Sequence, residues 1–324
     1  MKARSLVIVG DLGATHFRAG LGDPETGQVF GVGRYPTGAA SGPDRILEDI
    51  ARRFKALAES AETEVRVAAI GVPGPVRAAD GVVVRPPNLP GWDNVPVAAR
   101  LEALTGLRVL VGNDANLAAL GEQRYGAGRG ARHLVYLTVS TGIGGGVVAD
   151  GRLLLGAHGF AAELGHIPVE PGGPLCGCGG RGCLEALASG TAIARQAAEI
   201  ARRKPGSGLG AAARGLPEGL DAPTVERLAR QGDPDARYLF EQVGRYLGLG
   251  LTAVIHAFDP EKVVIGGGVA NAFDLFSPAL RAELNRRLMP AFRDGVEVVR
   301  AALGDVAGLY GALTLAGDYL LASA

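Results

Sequence analysis

The sequence predicts an α/β protein built from two duplicated lobes, and three observations carry that reading. Short Val/Ile/Leu runs alternate along the chain with longer helix-like stretches. Two of those runs, Ser5–Gly10 and Leu134–Val139, each lead into a glycine turn and then a second short strand. The length of 324 residues accommodates two domains of about 100–200 residues each.

Taken in chain order, strands are expected at Ser5–Gly10, Val65–Gly71, Val109–Val111, Leu134–Val139, Gly145–Ala149 and Lys262–Ile265, each a short apolar run suited to a buried sheet. Helical patterns fall at Pro43–Ser60, Val95–Leu104, Asn116–Tyr125 and Ser189–Arg203. Asp233-Pro234 reads as the N-cap and first residue of a long helix towards Phe258. An Asp side chain accepts from the unpaired N–H groups there, and Pro lacks a donor that would be unsatisfied anyway. Gly244, Gly248 and Gly250 weaken that helix and so predict close packing against a neighbour. Residues Lys204–Pro223 are rich in Gly, Pro, Ala and Arg without apolar periodicity, and read as a surface loop inside the second domain.

The two hairpins form a weak internal repeat. Asp11-Leu12-Gly13-Ala14-Thr15 precedes the strand Phe17–Gly22, and Ser140-Thr141-Gly142-Ile143-Gly144 precedes Gly145–Ala149. Either alone is an ordinary β-hairpin. Two copies in successive domains suggest lobes facing one another across a cleft, with backbone N–H groups converging on phosphate. The chain contains no G-x-x-x-x-G-K-[ST] motif, and Gly266-Gly267-Gly268 lacks the dinucleotide-binding spacing.

Composition narrows the class. Hydrophobic residues make up 47% and charged residues 20%, with 33 basic against 33 acidic side chains and a formal net charge of +0. That balance gives no electrostatic footprint for nucleic acid and favours a small-molecule substrate. Lys2 and Arg4 precede an apolar run that ends at Asp11, too short for the ~7–15 residues of a leader core. No window reaches the ~18 apolar residues of a membrane span, so a cytoplasmic protein without membrane partners is expected.

Two stretches carry chemistry. Gly112-Asn113-Asp114-Ala115-Asn116 directly follows the run Val109–Val111, which places a carboxylate where α/β sheets bind ligands. Asp114 there is either a general base for an attacking hydroxyl or, like Asn113, a helix cap. The second stretch runs from Glu163-Leu164-Gly165-His166 to Cys176-Gly177-Cys178-Gly179-Gly180-Arg181-Gly182-Cys183-Leu184-Glu185. One imidazole and three thiolates are the ligand set of a closed, structural tetrahedral Zn²⁺ site. All three cysteines fall in this loop, which argues against a disulfide framework. The second ring nitrogen of His166 would remain available for a substrate hydroxyl.

These segments, with Gly71–Pro75, Asn88–Trp92, Leu137–Gly146 and Ile265–Ala270, resemble the ROK group (repressor, open reading frame, kinase), most of all its bacterial glucokinases. The resemblance covers nearly the whole chain and implies an actin-like ATPase fold with nucleotide and sugar between two lobes. On it, residues 1–112 form a small lobe completed by a C-terminal helix over 305–324, and 113–304 form a large lobe carrying the zinc loop. It implies ATP-dependent phosphorylation of glucose at the 6-hydroxyl, with Asp114 as base. Asn113, Glu163, His166 and Glu185 match sugar-binding positions, together with Gly74 and Asn88. His166, Cys176, Cys178 and Cys183 match zinc ligands. Asp11, Gly13, Ala14, Thr15, Thr141 and Gly142 match the phosphate turns, with Asp11 near Mg²⁺, and Gly267 and Gly268 match a nucleotide-binding turn. A homodimer or homotetramer is implied too.

This chain departs from the group's pattern at Ala14 and His16, the first turn reading D-L-G-A-T-H where D-x-G-G-T-N is common. Ala14 still presents its N–H, and His16 either replaces the contact made by that Asn or is a solvent-facing or structural side chain. The alternatives are another hexose (N-acetylglucosamine, N-acetylmannosamine, fructose or mannose), polyphosphate as donor, or a sugar-sensing regulator. The regulator is disfavoured because only about five residues precede the first strand, too few for a helix-turn-helix segment.

Overall fold

A computed structural model describes residues 5–86 and 88–323; Lys2 and Arg4, the charged start weighed as a leader, lie outside them. The chain divides into two compact units, residues 1–132, 146–162 and 302–324 in the first and residues 133–145 and 163–301 in the second.

The first unit is built around short apolar strands, of which Val7–Leu12 and Val67–Val72 are buried on both faces. In chain order it holds β1 (Val7–Leu12), β2 (His16–Asp23), β3 (Gln28–Pro36), α1 (Gly42–Ser60), β4 (Val67–Val72), β5 (Val76–Arg77), β6 (Val82–Val83), β7 (Val95–Pro96), α2 (Val97–Thr105), β8 (Arg108–Asn113) and α3 (Asp114–Tyr125). Its main sheet has the order β3-β2-β1-β4-β8, with β1 parallel to β4 and β4 to β8, and β2 antiparallel to β1. Alternate residues of β1 serve different layers. Ile8 and Leu12 pack with Phe54 of α1 and Leu101 of α2, whereas Val7 and Val9 pack with Leu117 of α3 and with Leu309 and Leu313 further along. Near-continuous apolar runs are what a parallel strand covered on both faces requires.

The next elements are β9 (Leu134–Val139), β10 (Ile143–Ala149), β11 (Arg152–Leu153), α4 (Leu184–Ala188), α5 (Gly190–Arg203), α6 (Gly208–Arg214), α7 (Ala222–Arg230), α8 (Pro234–Phe258), β12 (Lys262–Gly266), α9 (Phe273–Arg287), α10 (Pro290–Arg293) and β13 (Glu297–Arg300). The chain closes with α11 (Ala307–Ala322), which belongs to the first unit. The second main sheet has the order β11-β10-β9-β12-β13, so the hairpin, then the parallel strands, recur in the same sequence as in the first. The internal repeat read from two glycine turns therefore extends to two whole sheets.

The long helix starts as its sequence dictates: Asp233 caps α8 by accepting from the Ala236 N–H at 2.8 Å, with Pro234 at the first position. Its glycines are contact points. A Cβ on Gly244 would strike the Phe276 carbonyl of α9, and one on Gly248 would lie 2.7 Å from the Glu283 Cβ.

Three expectations need correcting. Lys204–Pro223 is not a plain loop, because α6 forms within it. Ser207 caps that helix by accepting from the Gly210 N–H, and Leu209 anchors it in the core; seven residues offer too few apolar positions to show a period. The helix expected from Val95 begins at Val97, since Val95–Pro96 pair with β6 as β7. Residues 113–132 and 146–162, assigned to the large lobe by the 112/113 boundary, lie in the first unit. The reason is packing: Gly121 of α3 and Gly311 of α11 let the two helices meet backbone to backbone, and Gly146 brings the later segment against α3, where a Cβ would lie 2.6 Å from the Ala119 Cβ.

Candidate active site

In the first unit, three parallel strands end side by side. Asp11 of β1 is in register with Gly71 of β4, and Gly71 with Gly112 of β8. A Cβ on Gly71 would stand 3.4 Å from the Asp11 Oδ1 and 3.6 Å from the Asp114 Cα. Glycine at 71 thus admits two carboxylate-bearing residues to either side of one strand end. Asn113, not Asp114, is the N-cap of α3: its Oδ1 accepts from the Asn116 N–H at 3.0 Å, while its Nδ2 donates to the Gly74 carbonyl at 2.9 Å. Asp114 opens the helix, and its Oδ1 accepts from the Ala115 N–H at 2.8 Å. The helix N-terminus adds positive potential there, which favours negative charge. Gly74 holds φ at 83° beside Pro86. Asn88 is exposed in a turn anchored by the buried Leu89 and Trp92.

The first glycine turn closes through the Gly13 N–H, which donates to the His16 carbonyl at 2.9 Å. Thr37, beyond the end of β3, secures it twice, its N–H donating to the Thr15 carbonyl at 2.9 Å and its Oγ1 to the Gly13 carbonyl at 2.6 Å. Ala14 and Thr15 form the tip. Asp11 lies 3.5 Å from Arg18, which also pairs with Asp305 at 3.1 Å. Burial pushes the Asp11 carboxyl up to about 6, with Arg18 opposing and Asp305 reinforcing the shift. Arg18 and Thr37 were not singled out in the sequence; the polar His16 and Arg18 alternating with apolar Phe17 and Ala19 were the available signal for the former.

In the second unit the loop residues converge. The ligand atoms of His166, Cys176, Cys178 and Cys183 all lie within 4.8 Å of one another. Cys178 and Cys183 sulfurs are 3.7 Å apart, and the Cys176 sulfur is 3.6 Å from His166 Nδ1. A tetrahedral ion with Zn–S of about 2.3 Å and Zn–N of about 2.0–2.1 Å spaces two sulfurs by about 3.8 Å and sulfur from nitrogen by about 3.6 Å. The donor set and spacing therefore fit such an ion. Burial pushes the Cys176 thiol up to about 12, a cost that a bound cation reverses by stabilising the thiolate.

His166 turns its other nitrogen, Nε2, towards Glu163 at 4.0 Å. Burial raises the Glu163 carboxyl, with His166 lowering it and Glu185 raising it further. Glu185 joins two features: its Oε1 accepts from the Cys176 thiol at 3.6 Å and its Oε2 from the Ile143 N–H at 2.9 Å. The second glycine turn is thus tied to the cysteine loop. Its other end is tied to the start of α5, where Thr191 Oγ1 donates to the Thr141 carbonyl at 2.8 Å and Gly190 N–H to the Ser140 carbonyl at 2.7 Å. A Cβ on Gly142 would press on the Glu185 carboxylate. Gly267, with φ of 82°, abuts the Val139 carbonyl, while Gly268 faces open space.

Comparison with known proteins places this geometry. The ROK family profile matches residues 7–319. A glucokinase of Thermotoga maritima is 41% identical over 311 residues, covering 96% of this chain and 97% of that protein. An N-acetylmannosamine kinase of Salmonella typhimurium is 37% identical over 311 residues, covering 96% and 98%. The crystal structure of a ROK family glucokinase from Streptomyces griseus in complex with glucose and AMPPNP superposes with a TM-score of 0.82, at 36% identity, covering 97% of this chain and 99% of that one. The chain belongs to the ROK family. Its fold is the two-lobed actin-like ATPase fold of the family's kinases. Among the described residues no helix is long and apolar enough to cross a membrane.

The raised Asp11 carboxyl has a measurable consequence. The folded state holds its proton more tightly than the unfolded chain, so its favourable contribution is complete below pH 3.8 and is lost as pH rises through about 6. Asp11→Asn removes that titration. In the absence of nucleotide and magnesium the variant is expected to be more stable than wild type at pH 8, by at most about 3 kcal/mol, and equal to it near pH 4. Thermal melts at the two pH values check this; a pH-independent difference contradicts it.

Proposed function

We propose that this protein is a glucokinase, transferring the γ-phosphoryl group of ATP to the 6-hydroxyl of glucose. The observation that carries the reading is the placement of Asp11 and Asp114 at neighbouring strand ends on either side of Gly71. One carboxylate is then available for the proton of the acceptor and the other for the cation that accompanies the donor. Phosphoryl transfer asks for positioning and charge neutralisation more than covalent participation, which suits a site of turns, carboxylates and amides.

In this reading Asp114 accepts the proton of the 6-hydroxyl as its oxygen bonds to the γ-phosphorus and the bond to the bridging oxygen of ADP breaks. Asn113, Glu163, His166 and Glu185, together with Gly74 and Asn88, are the residues assigned to the sugar hydroxyls. Gly13, Ala14, Thr15, Thr141 and Gly142 receive the phosphates, and Gly267 and Gly268 the rest of the nucleotide. Asp11 holds Mg²⁺, which neutralises phosphate charge when bound. His166, Cys176, Cys178 and Cys183 hold Zn²⁺, whose role is to order the loop. The N-acetylmannosamine kinase relative supports a second reading, in which the acceptor is an N-acetylated hexosamine.

Asp114→Asn preserves the shape of the helix start but removes the base. General-base assistance contributes ~10²–10⁴-fold, so kcat is expected to fall at least about a hundredfold while glucose and ATP still bind. A variant that keeps more than about a tenth of wild-type kcat rules Asp114 out as the base.

The metal assignment is checked separately. Elemental analysis is expected to find one zinc per chain. Cys178→Ala leaves three ligands, so it is expected to raise the KM for glucose and lower thermal stability, with the KM for ATP changed less. Active protein without stoichiometric metal, or an unchanged glucose KM, contradicts the assignment.

A further inference from the structure

His16 stands where the ROK pattern commonly has Asn, and the structure gives it a partner. Its Nδ1 lies 3.1 Å from Arg34 Nη2. A guanidinium only donates, so the ring accepts at Nδ1 and carries its proton on Nε2. The strand register explains why the two meet. His16 pairs with Pro36 and Arg18 with Arg34 across β2 and β3, and Asp11 pairs with Arg18 across β1 and β2. Residues directly opposite, or two apart, share a face of the sheet. Asp11, His16, Arg18 and Arg34 therefore make one polar row across three strands, while Leu12, Phe17 and Tyr35 point the other way, Leu12 and Phe17 into the core.

That row carries an imbalance. Two arginines directly opposed repel each other. Arg18 is neutralised by Asp11 and Asp305, but among the described residues Arg34 pairs with no carboxylate. Three residues beyond Arg34, Thr37 is bonded to Gly13 and Thr15 of the first glycine turn. An exposed cation, held by a ring that cannot neutralise it, is thereby fixed next to a turn whose tip presents Ala14 and Thr15.

We propose that Arg34 is a phosphate-recognition residue for the phosphoryl donor and that His16 is the residue that positions it. The ligand class is a linear phosphate chain, carried by a nucleoside triphosphate or by inorganic polyphosphate. Recognition is by charge-assisted hydrogen bonds from the guanidinium fork, and His16 acts only by holding that fork in place. This rests on the kinase reading and adds to it a donor contact that the glycine turns do not provide.

The test uses Arg34→Gln, Arg34→Lys, His16→Ala and the double variant His16→Ala with Arg34→Gln. AMPPNP and tripolyphosphate affinities are measured by calorimetry, and KM values for ATP, polyphosphate and glucose by initial rates. Arg34→Gln is expected to weaken AMPPNP binding and raise the donor KM about fivefold or more, with the glucose KM unchanged. Arg34→Lys recovers part of the loss. His16→Ala gives a smaller loss, and the double variant is no worse than Arg34→Gln because the two act as one unit. Loss with both donors, or with one alone, supports the proposal and identifies which phosphate chain is read. Unchanged AMPPNP and tripolyphosphate affinity in Arg34→Gln overturns it, as does a glucose KM that rises as much as the donor KM. If wild type binds AMPPNP but phosphorylates no hexose, the kinase reading fails while the Arg34 contact is still decided by the binding data.

Discussion

Backbone-to-backbone contact between helices, permitted by glycine, is the constraint on which both units depend. In the first, Gly311 of α11 meets the Leu117 carbonyl of α3, and Gly308 brings the start of α11 against the Asp11 carboxylate. That one contact seats the helix whose first residue is Asp114 and also dries the environment of Asp11. In the second, α8 meets α9 through Gly244 and Gly248, and Gly250 admits Leu184 of α4. Leu184 lies between Cys183 and Glu185, so the seat of the cysteine loop is set by a missing side chain on a helix far along the chain. Larger residues at such positions force backbone shifts, at a cost of about 1–3 kcal/mol.

Close packing creates an electrostatic problem for acidic groups held away from water. The Asp11 carboxylate held against α11 and the Cys176 and Cys183 thiols held in a packed loop are penalised in their charged forms, whereas the Gly180 N–H favours the Cys178 thiolate. Arg18 offsets part of the penalty at Asp11, and the remainder makes that carboxylate an attractive ligand for an added cation. At the cysteines a metal ion, if bound as proposed, would turn the same penalty into loop order. Glu122 shows another solution. Fully buried, it accepts from the N–H groups of Ala127, Ala302 and Leu303, and so anchors the chain where it re-enters the first unit.

Much of this was legible in the sequence, for definite reasons. Leu134–Val139 was placed to the residue because a doubly buried parallel strand is apolar throughout, and α8 because Asp233 and Pro234 mark its start chemically. The Cys/His cluster was legible because few other roles suit three cysteines in one loop. What escaped depended on tertiary context. β5, β6 and β7 are two residues each, too short for any period, and α6 has little more than one apolar anchor. The dual role of Asn113, capping α3 while holding the Gly74 carbonyl, needs a partner 39 positions away. Likewise, nothing local to His16 announces Arg34, because only the pairing of β2 with β3 brings them together.

The central claim, a kinase whose acceptor is glucose, is tested most directly by a comparison of acceptors. Initial rates with ATP are measured for glucose, mannose, fructose, N-acetylglucosamine and N-acetylmannosamine, on protein of known metal content. The account predicts the highest kcat/KM for glucose, with both N-acetylated sugars lower by about tenfold or more, the scale on which a pocket discriminates by shape. A kcat/KM for N-acetylmannosamine equal to or above that for glucose would contradict it.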